Sequence, residues 1–426
     1  MFKFLLCVLS VFFMSAAGNL SVRAAETEEP VNLYQDNLFG NWWGVRNRLT
    51  AVGVDVTVEY KADIWHTAAG GIGRGSNYLG NLDLKFELDN QKLLGIKGNK
   101  ALIYFLNDHG GKPNANQVGS TQGIDNIEVS TNTTRLYEAW MEQSFFDGKL
   151  SVLAGLHDLN SEFMITDMAI NFIKPVFQVN QEFAQTGKNG PSIFPNASLA
   201  GRVKFLPTDE SYVMAAAFDG VPGNPDHPRG TRVEFNKGDG VLVIAEAGLT
   251  PAAADQGDGK PNKFALGAWA YTEKFDDLVE VDGAGNPVKQ RSRGMYVSSS
   301  YQFYHDKAAG HDLGAFFLGG FGDGDTGQVD WFYATGLVGN GWMPTRPDSE
   351  VGLGLTQSHN ADKYMRSVAA AGNSTDRNEY SLNLYYRDKI YSGISVEPNL
   401  QYIINPGTDP AVRNATILGL RFDINF

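Results

Sequence analysis

The segment Arg135-Leu136-Tyr137-Glu138-Ala139-Trp140-Met141-Glu142-Gln143 sets two carboxylates and an indole at alternate positions. In an extended strand residues two apart share a face, so Glu138, Trp140 and Glu142 line one side and Tyr137, Ala139 and Met141 the other. Charged groups can replace a polar solute's hydration through strong hydrogen bonds, and an aromatic ring can cover an apolar face. Such a row is built to hold a solute rather than to react with it. Arg202 and Lys204 alternate in the same way with Val203 and Phe205, Asp83 and Lys85 with Leu82, Leu84 and Phe86, and Glu397 and Gln401 with Val396, Pro398, Leu400 and Tyr402. Catalytic patterns are thin by comparison. The seven histidines are scattered without zinc-helix spacing, and no Gly-x-Ser-x-Gly elbow occurs. His157, at the end of an apolar run, is the one candidate for a hydrolase, and a wall residue is the better reading.

The elements that must position these side chains are strands. Val52, Val54, Val56, Val58, Tyr60, Ala62 and Ile64 alternate with Asp55, Thr57, Glu59, Lys61 and Asp63, over about one tilted membrane crossing. At the other end Leu418, Leu420, Phe422, Ile424 and Phe426 oppose Gly419, Arg421, Asp423 and Asn425, and the chain stops on an aromatic residue. That is how outer-membrane barrels close. Sixteen candidate strands begin near Val52, Asn81, Ala101, Arg135, Leu150, Leu199, Tyr212, Val241, Lys263, Gly294, Leu313, Val329, Glu350, Glu379, Ser392 and Thr416, an even count as a single-chain bacterial barrel requires. Those at Ala101 and Leu313 lack clean alternation. With 12% aromatic residues, 48 glycines and a mean hydropathy of -0.25, the chain has no run of roughly 20 apolar residues past its N-terminus. The expected fold is therefore an all-β transmembrane antiparallel barrel, and parity turns the charged rows into its lumen. The opposite parity would put carboxylates in hydrocarbon, at up to a few kcal/mol each.

Lys3, the apolar run from Phe4 to Ala17 and Val22-Arg23-Ala24 read as an export signal over 1–24, cut after Ala24. Cys7 lies in that run, so the mature chain would carry no thiol, compatible with an oxidising route. Residues 25–51 form a periplasmic lead with a short helix over 42–51, capped by Asn41 and stopped by Gly53, and 52–426 the barrel. A net charge of -13 argues against nucleic acid. It is compatible with acidic groups in the lumen or facing lipopolysaccharide-bound cations.

Phe146-Asp147-Gly148-Lys149, Pro207-Thr208-Asp209-Glu210 and Arg387-Asp388-Lys389 read as tight periplasmic turns, and 107–134, 157–198 and 219–240 as long external connections. The longest, 157–198, carries Phe163, Met164, Ile165, Ile170, Phe172, Ile173, Val176, Phe177 and Phe183. So apolar a loop needs a packing partner, and folding into the barrel mouth supplies one; covering the rim or a subunit contact is the alternative. Asp323-Gly324-Asp325-Thr326-Gly327 starts like a calcium loop but has Ala334 where the bidentate Glu belongs, so it reads as a turn, and no metal or cofactor is expected.

Several segments carry a family resemblance. Leu38-Phe39-Gly40-Asn41-Trp42-Trp43-Gly44-Val45-Arg46, Arg74-Gly75, Tyr78-Leu79-Gly80-Asn81-Leu82-Asp83, the Arg135 to Gln143 segment, Asp147-Gly148-Lys149-Leu150-Ser151, Glu162-Phe163 and Val396-Glu397-Pro398-Asn399-Leu400-Gln401-Tyr402 together resemble the carbohydrate-selective porins of the OprB type. The resemblance implies a sixteen-stranded outer-membrane porin passing monosaccharides and related sugars by facilitated diffusion, through a constriction of charged and aromatic residues. Asn81 departs from the charged residue expected there, and 219–375 carries few of the motifs. Glu138, Trp140 and Arg202 rank first as solute contacts, Arg74 and Glu162 contribute from loops, and Asp83, Lys85, Glu142, Lys204, Glu397 and Gln401 line the wall. Phe426 is expected to address the barrel assembly machinery; the oligomer is a monomer or a trimer. A barrel hydrolase and a plugged structural barrel are the alternatives.

Overall fold

The computed structural model describes residues 37–251 and 262–426, so the export signal with Cys7, and the lead up to residue 36, lie outside the described residues. Sixteen antiparallel strands among the described residues close into a barrel: β1 (Val54–Gly71), β2 (Gly75–Asp89), β3 (Asn99–Gly110), β4 (Thr133–Phe145), β5 (Leu150–His157), β6 (Ser198–Thr208), β7 (Ser211–Asp219), β8 (Val241–Leu249), β9 (Lys263–Val281), β10 (Pro287–Asp306), β11 (His311–Gly322), β12 (Val329–Asn340), β13 (Glu350–Asn360), β14 (Asn378–Tyr391), β15 (Ile394–Ile404) and β16 (Arg413–Asn425). Each strand pairs with its chain neighbours, and β1 pairs with β16 to shut the sheet, with Asp63 opposite Arg421. Among the described residues four short α-helices decorate it: α1 (Val45–Val52), α2 (Asn90–Leu94), α3 (Gln181–Ala184) and α4 (Asp362–Ala370).

The expected N-terminal helix is split. Gly44 takes the left-handed conformation (φ 91°) between a single 3-10 turn, Trp42–Gly44, and α1. Asn41 still satisfies an orphan amide, accepting from Asn47 N at 2.9 Å, and Gly53 ends α1 at φ 95°. Two strands start well before the expected residue. β2 begins at Gly75 rather than near Asn81, and β10 at Pro287 rather than near Gly294. The added turns of β10, with Lys289, Gln290, Arg291 and Arg293, continue the ladder to β9 beyond the apolar band, where lipid imposes no alternation. Arg387-Asp388-Lys389 is not a turn but part of β14; the chain reverses at Ser392-Gly393, where Gly393 has φ 72°. The alternation of loop lengths is incomplete too. Only residues 72–74 join β1 to β2 at the loop-rich end, while as many as thirteen residues, 250–262, separate β8 from β9 at the end where β16 finishes.

A wall facing water needs a polar inner surface, yet β7 to β12 turn Phe218, Leu242, Ile244, Trp269, Phe316, Leu318 and Phe332 inward, all buried. The 158–197 loop covers them. Its Leu159, Phe163, Met164 and Phe183 pack with the β7–β10 residues, and its Met168, Phe172, Val176 and Phe177 with those of β11, β12 and β14. Phe172 stacks on Phe177 at 4.2 Å and meets Tyr385 edge-on at 4.8 Å; a Cβ on Gly354 would lie 2.5 Å from the Phe177 ring, so this approach needs glycine. Each fully buried phenylalanine contributes about 2 kcal/mol. Polar pegs fix the loop's register: Glu246 accepts from Tyr212 (2.5 Å), Tyr296 (2.7 Å) and Met164 N (3.1 Å), and Glu350 from Asn171 (2.7 Å). Inward folding of this loop is thus correct, and the poor alternation of β11 follows, because both of its faces are apolar.

A second inward loop was not anticipated. Residues 111–132 dock on the opposite wall, where Glu379 accepts from Ser120 Oγ (2.6 Å), Thr121 N (3.0 Å) and Gln122 N (3.2 Å). Val118, Ile124 and Ile127 pack with Trp65, Leu79, Ile403 and Ile417 beneath it.

Candidate functional site

With β7–β13 covered by one loop and parts of β1, β2 and β14–β16 by the other, the remaining polar side chains of β1–β6 line the passage. Arg202, inward from β6, is its hub. The guanidinium donates to Glu142 on β4 (Nη2 to Oε1, 2.9 Å), to Glu162 on the loop (Nε to Oε2, 2.8 Å) and to Ser151 on β5 (Nη1 to Oγ, 2.6 Å). Glu162 Oε2 also lies 3.2 Å from His157 Nε2, and His157 Nδ1 lies 3.0 Å from Glu138 Oε2. Glu138 Oε2 takes two further donors, Trp140 Nε1 at 3.1 Å and Asp158 N at 3.0 Å. The result is one continuous chain of alternating charge with an indole on it. Burial pushes the Glu162 carboxyl up, but the His157 hydrogen bond and Arg202 outweigh it and hold it down at about 2, so it stays an anion in mild acid.

A cavity of about 440 Å³ opens beside this chain, lined by Trp140, Glu142, His157, Glu162, Arg202 and Lys204 among others. Lys100 reaches Glu142 from β3 at 3.7 Å. Trp140 stands edge-on to His157 at 6.0 Å and is half-buried, so ring surface remains open to a solute. On the adjoining strands Asp83 pairs with Lys61 (2.7 Å) and accepts from Tyr104 (2.8 Å), while Lys85 sits 4.7 Å above the Tyr104 ring.

Five expected contacts, Glu138, Trp140, Glu142, Glu162 and Arg202, are therefore brought together, with Lys204, Asp83 and Lys85 nearby. Three are not. Arg74 stands exposed in the short 72–74 turn, away from this chain. Gln401 is fully buried because its Nε2 holds Ile124 O of the 111–132 loop at 2.8 Å, and Glu397, 1% exposed, is locked with Arg387 (3.5 Å). Both are pegs of the wall rather than its lining. The parity of β4 also needs correction: Tyr137 is buried instead of facing lipid, because a bulge opposite Tyr104 and Phe105 turns it inward beside Glu138.

Sequence reading missed His157 as a link in the chain, and it missed Asp63 with Arg421. That pair is bidentate across the seam (2.8 and 2.6 Å), with Asn126 accepting from the same guanidinium at 2.7 Å. Inward parity in β1 and β16 was the signal that could have found it. At the loop-rich end Lys363 of α4 fills the space between Asp277 (2.5 Å), Asp325 (2.6 Å) and Glu280 (3.1 Å), so an ammonium occupies the place suggested by the calcium-like segment.

A model of the carbohydrate-selective porin family, OprB, matches residues 73–426. The chain belongs to the OprB family of carbohydrate-selective porins. It is a sugar porin of the bacterial outer membrane, and family and barrel alike point to a channel rather than an enzyme. It is similar to Porin B of Pseudomonas aeruginosa, 28% identical over 455 residues that cover 98% of this chain and 96% of that one. The putative porin QuiX of Acinetobacter baylyi is 22% identical over 91% of this chain and 93% of that protein. Among solved structures, the high-pH form of Pseudomonas putida OprB superposes with a TM-score of 0.81 at 24% identity, covering 92% of this chain and 99% of that one, which speaks for the shared porin fold.

Proposed function

We propose that this porin selects monosaccharide-sized sugars at the Glu138–Trp140–Glu142–Arg202–Glu162 chain. The observation that carries this reading is the Arg202 guanidinium fixed between two carboxylates beside an accessible indole, on a cavity whose volume suits one small solute. A sugar entering it exchanges its water shell for hydrogen bonds to Glu142, Glu162 and Arg202, while Trp140 covers one C–H face of the ring. Because the charged groups already satisfy one another, the sugar replaces existing bonds rather than filling vacant ones. Binding stays weak and release stays fast, as conduction requires.

The same groups hold the solute without reacting with it. Both ring nitrogens of His157 face carboxylates, which leaves neither to activate a hydroxyl. Purified barrel in a planar bilayer tests the reading. Glucose should lower the ion current in a saturable way; zero single-channel conductance would identify a plugged barrel, and current indifferent to every monosaccharide would move selection elsewhere.

A further inference from the structure

A second cavity, about 270 Å³, lies at the loop-rich end between the 111–132, 158–197 and 219–240 loops. Every charged or titratable side chain on its lining is basic: Arg135, His227 and Arg232. Asn189, Asn196 and Thr131 supply the amide and hydroxyl groups around them. Arg135 is only 6% exposed. It donates Nη1 to Asn196 Oδ1, its buried Nε has no partner, and no carboxylate among the described residues forms an ion pair with it. The acids nearby do not line the cavity. Asp108 is the charge that faces Arg135 from β3, without forming an ion pair; its Oδ1 accepts from Asn81 at 2.9 Å and its Oδ2 has no partner, while Glu234 accepts from Asn224 at 2.7 Å.

A guanidinium taken out of water with a facing carboxylate but no ion-pair contact is only partly compensated, so an anion arriving there is favoured by more than its contacts alone. The cavity walls are also built before any solute arrives. β5 pairs with β4 only from Ala139 onward, and the 219–240 loop crosses to the unpaired upper part of β4, where Thr231 Oγ1 donates to Leu136 O (2.8 Å) and Gly230 N to Thr133 Oγ1 (2.9 Å). Asn189 Nδ2 ties the loops together through Pro222 O at 2.6 Å.

We propose that this cavity is a capture site for hydroxylated monocarboxylates, sugar acids in particular. Arg135 and Arg232 take the carboxylate, and the Asn and Thr side chains take the hydroxyls. Arg135 lies three residues before Glu138 on the same strand, so a solute leaving the site passes directly to the selecting chain. The site stands on its own residues and does not depend on the reading of the constriction.

The test is block of ion current in a planar bilayer at about 0.1 M salt, where screening is moderate, with glucose or glucuronate added from the loop side. In the wild-type porin glucuronate should half-block at about a tenth of the glucose concentration, the equivalent of one good charge-assisted contact. Arg232→Gln, at an exposed position, and Arg135→Gln should each raise the glucuronate value about fivefold or more and leave the glucose value in place. Equal block by the two solutes in the wild type, an unchanged glucuronate value in Arg232→Gln, or an equal shift for both solutes would overturn the proposal. Loss of glucose block in the wild type with glucuronate block intact would instead sink the constriction reading alone.

Discussion

Arg202 neutralises two carboxylates at once, so its removal should be read in charge before it is read in stability. Arg202→Met removes the shared cation from Glu142 and Glu162 and leaves them only Lys100 (3.7 Å) and His157 (3.2 Å) respectively. The reversal potential in a salt gradient should shift toward stronger cation preference; an unchanged potential would place the passage away from this hub. Glu138 acts differently, because its Oε2 holds Trp140, His157 and Asp158 in place. Glu138→Gln should weaken sugar block through a loosened indole, and it should lower cation preference by removing a wall charge. The inward direction of Glu138, Glu142 and Arg202 was legible in the sequence because lipid forbids the opposite parity. The inward turn of Tyr137 was not, since a bulge shifts parity with no local sequence mark. Nor was the burial of Gln401, whose partner, Ile124, lies on a loop at the other end of the chain.

The 158–197 loop packs on the inner faces of β7–β12 and brings Glu162 to Arg202. Shortening it should raise conductance, and the exposed inner faces of β7–β12 should make the truncated barrel less soluble in detergent; normal conductance in a folded deletion would place the loop outside the passage. Its seating also depends on pH. Burial pushes the Glu182 carboxyl of α3 up to about 8 against the hydrogen bond from Asn180, so the seated loop keeps a proton that the unseated loop releases above about 4.5. Seating is therefore strongest below that value, weakens as pH rises to about 8 and levels off beyond. Single-channel flicker should grow between pH 5 and pH 8 in the wild type and lose that dependence in Glu182→Gln; identical pH dependence in both would assign the effect to another group. That this loop is too apolar for solvent could be read from its phenylalanines. Its partners could not, because inward apolar residues on β7–β12 look like ordinary core residues until the loop is placed over them.

At the scale of the molecule, barrel closure rests on the seam between β1 and β16 and on the last residue. Phe426 N donates to Val58 O at 2.9 Å, its ring lies 5.7 Å from Phe39, and Leu38 N donates to Asn425 O at 2.7 Å. Deleting Phe426 should thus reduce the heat-modifiable, folded band in outer-membrane fractions, and normal amounts of that band would show closure to be independent of the terminus. The number of strands was legible because a closed barrel needs an even count and lipid enforces alternation on most of them. Their upper ends were not, because beyond the apolar band a strand such as β10 obeys hydrogen bonding alone.

The central claim is that Trp140 and the charge chain around Arg202 select the sugar, and glucose block of ion current through Trp140→Ala tests it most directly. A stacking contact of about 0.5–1.5 kcal/mol corresponds to roughly a two- to tenfold change in affinity. The half-blocking glucose concentration should rise by that factor while open-channel conductance stays equal or grows slightly. Glucose block identical to the wild type, in a variant of normal conductance, would contradict the account and reduce Trp140 to wall packing.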